Sequence, residues 1–155
     1  MKTLLILVGK TDRSYTRLLA DYVERINHYM SFEVEVVREP KNTKSMSAYQ
    51  QNVIEGEAVL KLIQPSDNVV LLDEQGGQLS SLSFASWLGH KRLVARRLVF
   101  IIGGPYGFSS AVYSRCNERL SLSRMTFSHQ MVRIIFAEQL YRACTIIRGE
   151  PYHHG

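Results

Sequence analysis

Only two cysteines occur among the 155 residues, Cys116 and Cys144, and neither has a Cys-x-x-Cys spacing or paired histidines beside it. A disulfide scaffold and a cysteine–histidine metal site are excluded on that count. Free thiols buried in helices, in a reducing cytoplasm, are the expectation. No apolar run approaches the roughly 20 residues that span a bilayer. The first ten residues imitate a signal peptide, but their apolar core is short and meets Gly9-Lys10 instead of a small-residue cleavage site. They are expected to form a first strand, in a soluble cytoplasmic protein. Internal repeats, low-complexity tracts and linkers are missing too, so the chain reads as one domain over residues 1–155, long enough to bury roughly two-thirds of its unfolded surface. Neither a G-x-G-x-x-G fingerprint nor a P-loop is found, which excludes a Rossmann-type dehydrogenase and a phosphate-cradling loop.

What is present is an ordinary globular composition, 45% hydrophobic and 21% charged, with a formal net charge of +5. The sequence pI of about 9.4 leans toward a polyanionic partner such as RNA or DNA without deciding for one. Strand and helix periodicities alternate. Apolar runs over 4–8, 32–37, 69–72 and 98–102 predict strands, three of them continuous enough to be covered on both faces. Helical spacing over 14–30 turns Tyr15, Leu18, Leu19, Tyr22, Ile26 and Tyr29 inward. A basic loop over 38–44 precedes a helix capped by Ser47 and running to about residue 63, with Tyr49, Val53, Leu60 and Ile63 inward. A loop over 74–78 follows the third strand. Further helices are expected over 80–90, 109–120 and 129–147. This alternation predicts an α/β fold: a parallel sheet covered by helices on both faces.

The last third carries the chemistry. The strand over 98–102 runs into Gly103-Gly104-Pro105-Tyr106-Gly107, and a buried strand ending in a glycine turn is where α/β proteins admit ligands. The turn either serves only tight reversal or offers backbone to a base or amino acid. A Ser/Met/Thr segment over 120–130 follows, and the chain ends Pro151-Tyr152-His153-His154-Gly155. The helix over 129–147 is apolar nearly all round. Val132, Phe136, Leu140 and Ala143 lie on one side, Ile134, Ala137, Tyr141 and Cys144 on another, and Glu138, Arg142 and Thr145 form a narrow polar stripe. Such a helix is either the core of a monomer or shared with a second subunit. Glu138 and Arg142, an i,i+4 pair, either stabilise the helix or line a site. The tail has too little apolar content to be buried and is expected to be exposed.

Several of these motifs, in one order, resemble a known family: Gly-Gly-Pro-x-Gly at 103–107, Leu-Ser-x-Met-Thr-Phe at 122–127, His-Gln-x-Val-Arg at 129–133, Glu-Gln-x-Tyr-Arg-Ala at 138–143 and Pro-Tyr-His at 151–153. They look like the pseudouridine N3-methyltransferases of large-subunit ribosomal RNA, the RlmH family of the SPOUT superfamily. The resemblance covers the whole chain. It implies an α/β domain with a deep C-terminal trefoil knot, working as a homodimer on assembled ribosomes, with no metal and no membrane. It also implies S-adenosylmethionine bound at Leu72, Gly103, Leu122, Ser123, Arg124, Met125, Thr126 and Phe127.

The implied reaction moves the sulfonium methyl to N3 of a pseudouridine. N3 carries a proton in the neutral base, so a base must accept it or cations must favour the ionised form. His129, His153 and Arg142 are the candidates, Glu138 orienting Arg142 and Tyr152 stacking on or positioning the nucleobase. Two positions depart from the family pattern: Ser128, where proline is usual, and His154, where a basic residue is common. The alternative reading is a non-catalytic basic RNA-binding assembly factor using the same surface.

Overall fold

The computed structural model describes all residues, 1–155. Five strands, β1 (Lys2–Val8), β2 (Ser31–Val37), β3 (Asn68–Gln78), β4 (Arg97–Ile102) and β5 (Glu118–Ser121), form one sheet in the order β2-β1-β4-β3-β5. Every pairing is parallel. Parallel neighbours cannot be joined by hairpins, so helices must carry the chain back across the faces. They are α1 (Arg13–Asn27), α2 (Ala48–Leu60), α3 (Ser81–Val94), α4 (Ser110–Arg115) and α5 (Met131–Arg148). β1 and β4 occupy the middle of the sheet, and their continuous apolar runs are buried on both sides.

Two cores result. Leu5, Leu7, Phe100 and Ile102 point to the side covered by α1, α3 and α5. Ile6, Val8, Val99 and Ile101 point to the side covered by α2 and α4. On the first side α5 lies between α1 and α3, with Phe136, Ala137 and Leu140 completely buried and Phe136 packed on Phe100 at 4.7 Å between ring centroids. The α/β expectation, with a parallel sheet covered on both faces, is met.

The sequence expectations for local elements and burial are corrected at several places. The loop expected over 74–78 is the far end of β3: the strand bulges after Leu72 and resumes pairing when Gly77 meets Leu120. Gly76 permits this, because a Cβ there would lie 2.7 Å from the Arg119 backbone. The helix expected over 109–120 is a six-residue helix followed by the edge strand β5. Asn117 breaks it by exchanging two 2.8 Å hydrogen bonds with Val69, its side chain accepting from the Val69 N–H and its own N–H donating to the Val69 carbonyl. Cys116 therefore caps α4 and is half-buried, whereas Cys144 is buried as expected, its thiol pushed up to about 11 chiefly by burial. Leu18 and Tyr49, both expected inward, are exposed.

α5 is fixed at its start by a group that periodicity passed over. Arg133 is wholly buried and has no carboxylate partner. Its guanidinium donates to the carbonyls of Val8 and Gly9 at 2.8 and 2.9 Å, to the Thr11 hydroxyl at 2.9 Å and to the His129 carbonyl at 3.1 Å. Gln130 adds bonds to the Lys10 carbonyl and the Asp12 N–H. The beginning of the last helix is thereby tied to the end of the first strand. No helix is long and apolar enough to cross a membrane.

Candidate active site

Because all strands run the same way, the segments leaving β3, β4 and β5 open on one edge of the sheet, where ligands of open α/β folds bind. They enclose a cavity of about 360 Å3. Leu72, Asp73 and Glu74 line it from β3, Gly103 to Pro105, Gly107 and Phe108 from the turn after β4, and Leu122, Ser123 and residues 125–129 from the segment after β5. Of the residues read from sequence as cofactor-binding, Leu72, Gly103, Leu122, Ser123, Met125, Thr126 and Phe127 are brought together here. Arg124 is exposed and lies outside the lining. His129 joins the cavity wall together with Val132 of α5.

Short-range hydrogen bonds hold this wall. The Ser123 hydroxyl accepts from the Met125 N–H and the Ser123 carbonyl accepts from the Ser121 hydroxyl. The Thr126 hydroxyl donates to Glu74 at 2.9 Å, fastening the third segment to the first. Ser128, at the position where proline was expected, accepts from the Met131 N–H and so supports the first turn of α5. Tyr113 donates to Asp73 at 3.1 Å, and burial, followed by the Asp73 charge, raises its pKa. Gly103 lines the cavity, and a Cβ there would also sit 3.0 Å from the Gly107 carbonyl oxygen and 3.1 Å from the Phe108 ring, so the turn's own tight closure is a second reason for glycine at this position. Gly107, at φ +76°, is the turn's left-handed residue.

A second polar cluster lies near the other end of α5. Arg142 donates through Nε to Glu138 at 3.0 Å and through a terminal nitrogen to Nδ1 of His153 at 2.9 Å. With Nδ1 accepting, the ring proton of His153 resides on Nε2. Tyr152 donates to Glu138 at 3.2 Å, lies 4.9 Å beneath the Arg142 guanidinium and meets Tyr141 edge-on at 4.7 Å. Burial, then the Glu138 charge, pushes its pKa up to about 12, so it is a neutral hydroxyl at physiological pH. Tyr29 donates to Glu150 at 2.7 Å, and that bond leads the causes that push its pKa to about 12. The tail is therefore folded against α5 and half-buried at Tyr152 and His153; the expected free tail is corrected by these contacts.

The residues read as catalytic thus fall into two groups. His129 is in the cavity wall, while Glu138, Arg142, Tyr152 and His153 form the second cluster. From Val132 to Arg142 the helix rises about 15 Å. The sequence reading did not single out Asp73, Glu74, Phe108 or Tyr113 as site residues, nor Gln130 and Arg133 as the anchors beneath them. The signals for Arg133 were its place in the 129–133 motif and a charge on a helix face otherwise apolar.

A ligand-sized cavity built from three strand-end segments, one of them glycine-rich, with a separate polar cluster further along α5, defines an α/β protein of the open parallel-sheet class. A family model described as "Predicted SPOUT methyltransferase" matches residues 1–153. A protein named ribosomal RNA large subunit methyltransferase H from Bacteroides fragilis is 55% identical over 156 residues, covering 99% of each chain. Relatives of the same name from Bacteroides thetaiotaomicron and Porphyromonas gingivalis are 53% and 51% identical, again over 99% of each chain. The chain belongs to the SPOUT methyltransferase family.

Proposed function

We propose that this protein is a single-domain methyltransferase, residues 1–155, that uses S-adenosylmethionine to methylate N3 of a pseudouridine in large-subunit ribosomal RNA. In this reading it works in the cytoplasm on assembled ribosomes, as a homodimer. The cavity at the ends of β3, β4 and β5 carries the proposal. Its volume suits a nucleoside-sized ligand. Its lining joins apolar Leu72, Leu122 and Phe127 to exposed backbone and to the carboxylates of Asp73 and Glu74, a fit for a cationic donor with an adenine and hydroxyls. S-adenosylmethionine supplies an electrophilic methyl on a sulfonium. The relatives named ribosomal RNA large subunit methyltransferase H support ribosomal RNA as substrate.

The chain's own groups do the rest. Leu72, Gly103 and the 122–127 segment hold the donor, and His129 stands in the same wall. Arg142 places a cation where the ionised form of the imide is favoured, Glu138 fixes its orientation, and Nε2–H of His153 is a donor for a base oxygen. The separation of the two clusters along α5 supports the homodimer: an antiparallel α5 from a partner brings one protomer's tail to the other's cavity. α5 leaves Met131, Ile135, Gln139 and Ile146 incompletely covered along one line, with Leu82 of α3 exposed. The knot belongs to this reading as a feature the family resemblance implies. The strand order is compatible with it, since β5 pairs outside β3 after β4 has been laid between β1 and β3. A non-catalytic RNA binder would have no use for the cavity.

Two measurements test the proposal. Calorimetry with S-adenosylmethionine should show saturable binding, and ribosomes from a deletion strain should acquire one N3-methylpseudouridine, mapped by mass spectrometry. No heat, or no methyl on any pseudouridine of the large-subunit RNA, overturns it.

A further inference from the structure

The 38–44 segment and the first half of α2 belong to neither cluster. Arg38, Lys41 and Lys44 are exposed and take part in none of the three ion pairs of the structure. The one acid among them, Glu39, leans on Gly9, its Oε1 2.6 Å from where a Cβ on that glycine would be. Residues 45–54 contain no charged side chain at all. There Met46, Tyr49, Val53 and Ile54 line a groove of about 460 Å3, and Tyr49 is 73% exposed.

This surface is physically joined to the active site. Asn52 donates through its side chain to the Tyr106 carbonyl at 2.9 Å, fastening α2 to the glycine turn, while its Oδ1 is buried without a donor. Tyr106 is itself 56% exposed, between Pro105 and Gly107, which line the donor cavity. Unpaired cations, two solvent-facing phenol rings and an apolar groove therefore run together to the cavity rim.

We propose that Lys41, Lys44, Tyr49 and Tyr106 form a docking strip for single-stranded ribosomal RNA flanking the target nucleotide. The inference rests on the methyltransferase reading above. N3 lies on the pairing edge of a base, so the target must be unpaired when modified, and its neighbours are then available for stacking. Aromatic faces stack any base and lysines pair with phosphates, which suits a strand next to a specifically read nucleotide. A peptide would fill the groove but leave the unpaired lysines unanswered.

The test uses the full-length protein and unmethylated assembled ribosomes. Lys41→Glu/Lys44→Glu should weaken ribosome binding at least tenfold and flatten its salt dependence. Tyr49→Ala and Tyr106→Ala should each weaken it about tenfold, and Tyr49→Phe should restore it. The dissociation constant for S-adenosylmethionine and the melting temperature should stay unchanged in all. A photo-cross-linking residue at position 49 should capture ribosomal RNA. Unaltered ribosome affinity in the charge-reversed variant, or cross-links only to ribosomal protein, overturns the docking strip. Wild-type protein that binds no ribosome at all would instead overturn the methyltransferase reading, so the two failures are distinguishable.

Discussion

The Arg133 guanidinium and the Gly9 carbonyl meet at 2.9 Å inside the protein, joining the start of α5 to the end of β1. A buried cation is tolerated here because four oxygens, none of them charged, accept from it. Burial alone is the largest influence on its pKa and lowers it. One side chain thus holds the wall of the donor cavity against the middle of the sheet.

Arg133→Met should therefore cost about 3–5 kcal/mol, because it strands buried carbonyls with no donor. Arg133→Lys keeps the charge but not the fork and should fall between. Chemical denaturation measures both. A Met variant as stable as wild type would show that water replaces the guanidinium.

Gly103→Ala should lower affinity for S-adenosylmethionine more than tenfold, since the turn must shift to free the Cβ from Gly107 and Phe108. Gly104→Ala should be milder, its nearest contact being a Glu55 side-chain oxygen at 3.3 Å. Calorimetry on the folded variants checks the order. Gly103→Val is a poor probe of ligand clearance, because the loop itself refuses the side chain.

The proposed homodimer is best probed at partly covered positions. Ile135→Asp or Leu82→Asp should yield folded monomers by light scattering, with methyl transfer lost. Leu140→Asp and Phe136→Asp should unfold the chain, since both side chains are completely buried within one protomer. A fully active dimer of Ile135→Asp would place the interface elsewhere.

Deleting residues 150–155 should reduce methyl transfer by orders of magnitude while cofactor binding persists. It should also lower stability by about 2 kcal/mol, or Tm by roughly 5 °C. The tail contributes the Tyr152–Tyr141 contact and the Tyr29–Glu150 hydrogen bond. Calorimetric melting and ribosome assays separate the two effects, and full activity would leave His129 and Arg142 as the catalytic candidates.

Asp67 and Arg97 give the acid dependence. Burial raises the Asp67 pKa, but hydrogen bonds from Arg97 and the Gln64 N–H outweigh it, and the net shift is downward from 3.8. A lowered native pKa means stability that is fully present above about pH 4 and lost as pH falls through the native value. Asp67→Asn should lower stability at pH 7 and show a smaller further loss on acidification to pH 3. An equal acid loss in the variant would assign it to other carboxylates.

Much of the sheet was legible because a strand buried on both faces must be a continuous apolar run, as in β1 and β4. The cavity at the strand ends was legible because glycine and short hydroxyl residues cluster where backbone can approach a ligand. β5 was not: residues 118–121 resemble the end of a helix until Asn117 finds Val69, a contact 48 residues away. The strand-like end of β3 was hidden by two adjacent glycines, of which Gly76 is explained only by the approach of β5.

Local periodicity and motif spacing by themselves determined the fold class and the grouping of Glu138 with Arg142, since each depends on neighbours a few residues apart, whereas the individual cavity residues came from the family resemblance. Tertiary structure alone decided that Arg133 is a buried anchor and that the tail is folded onto Tyr141. Burial and long-range hydrogen bonds depend on which distant segments meet, and no local pattern encodes that meeting.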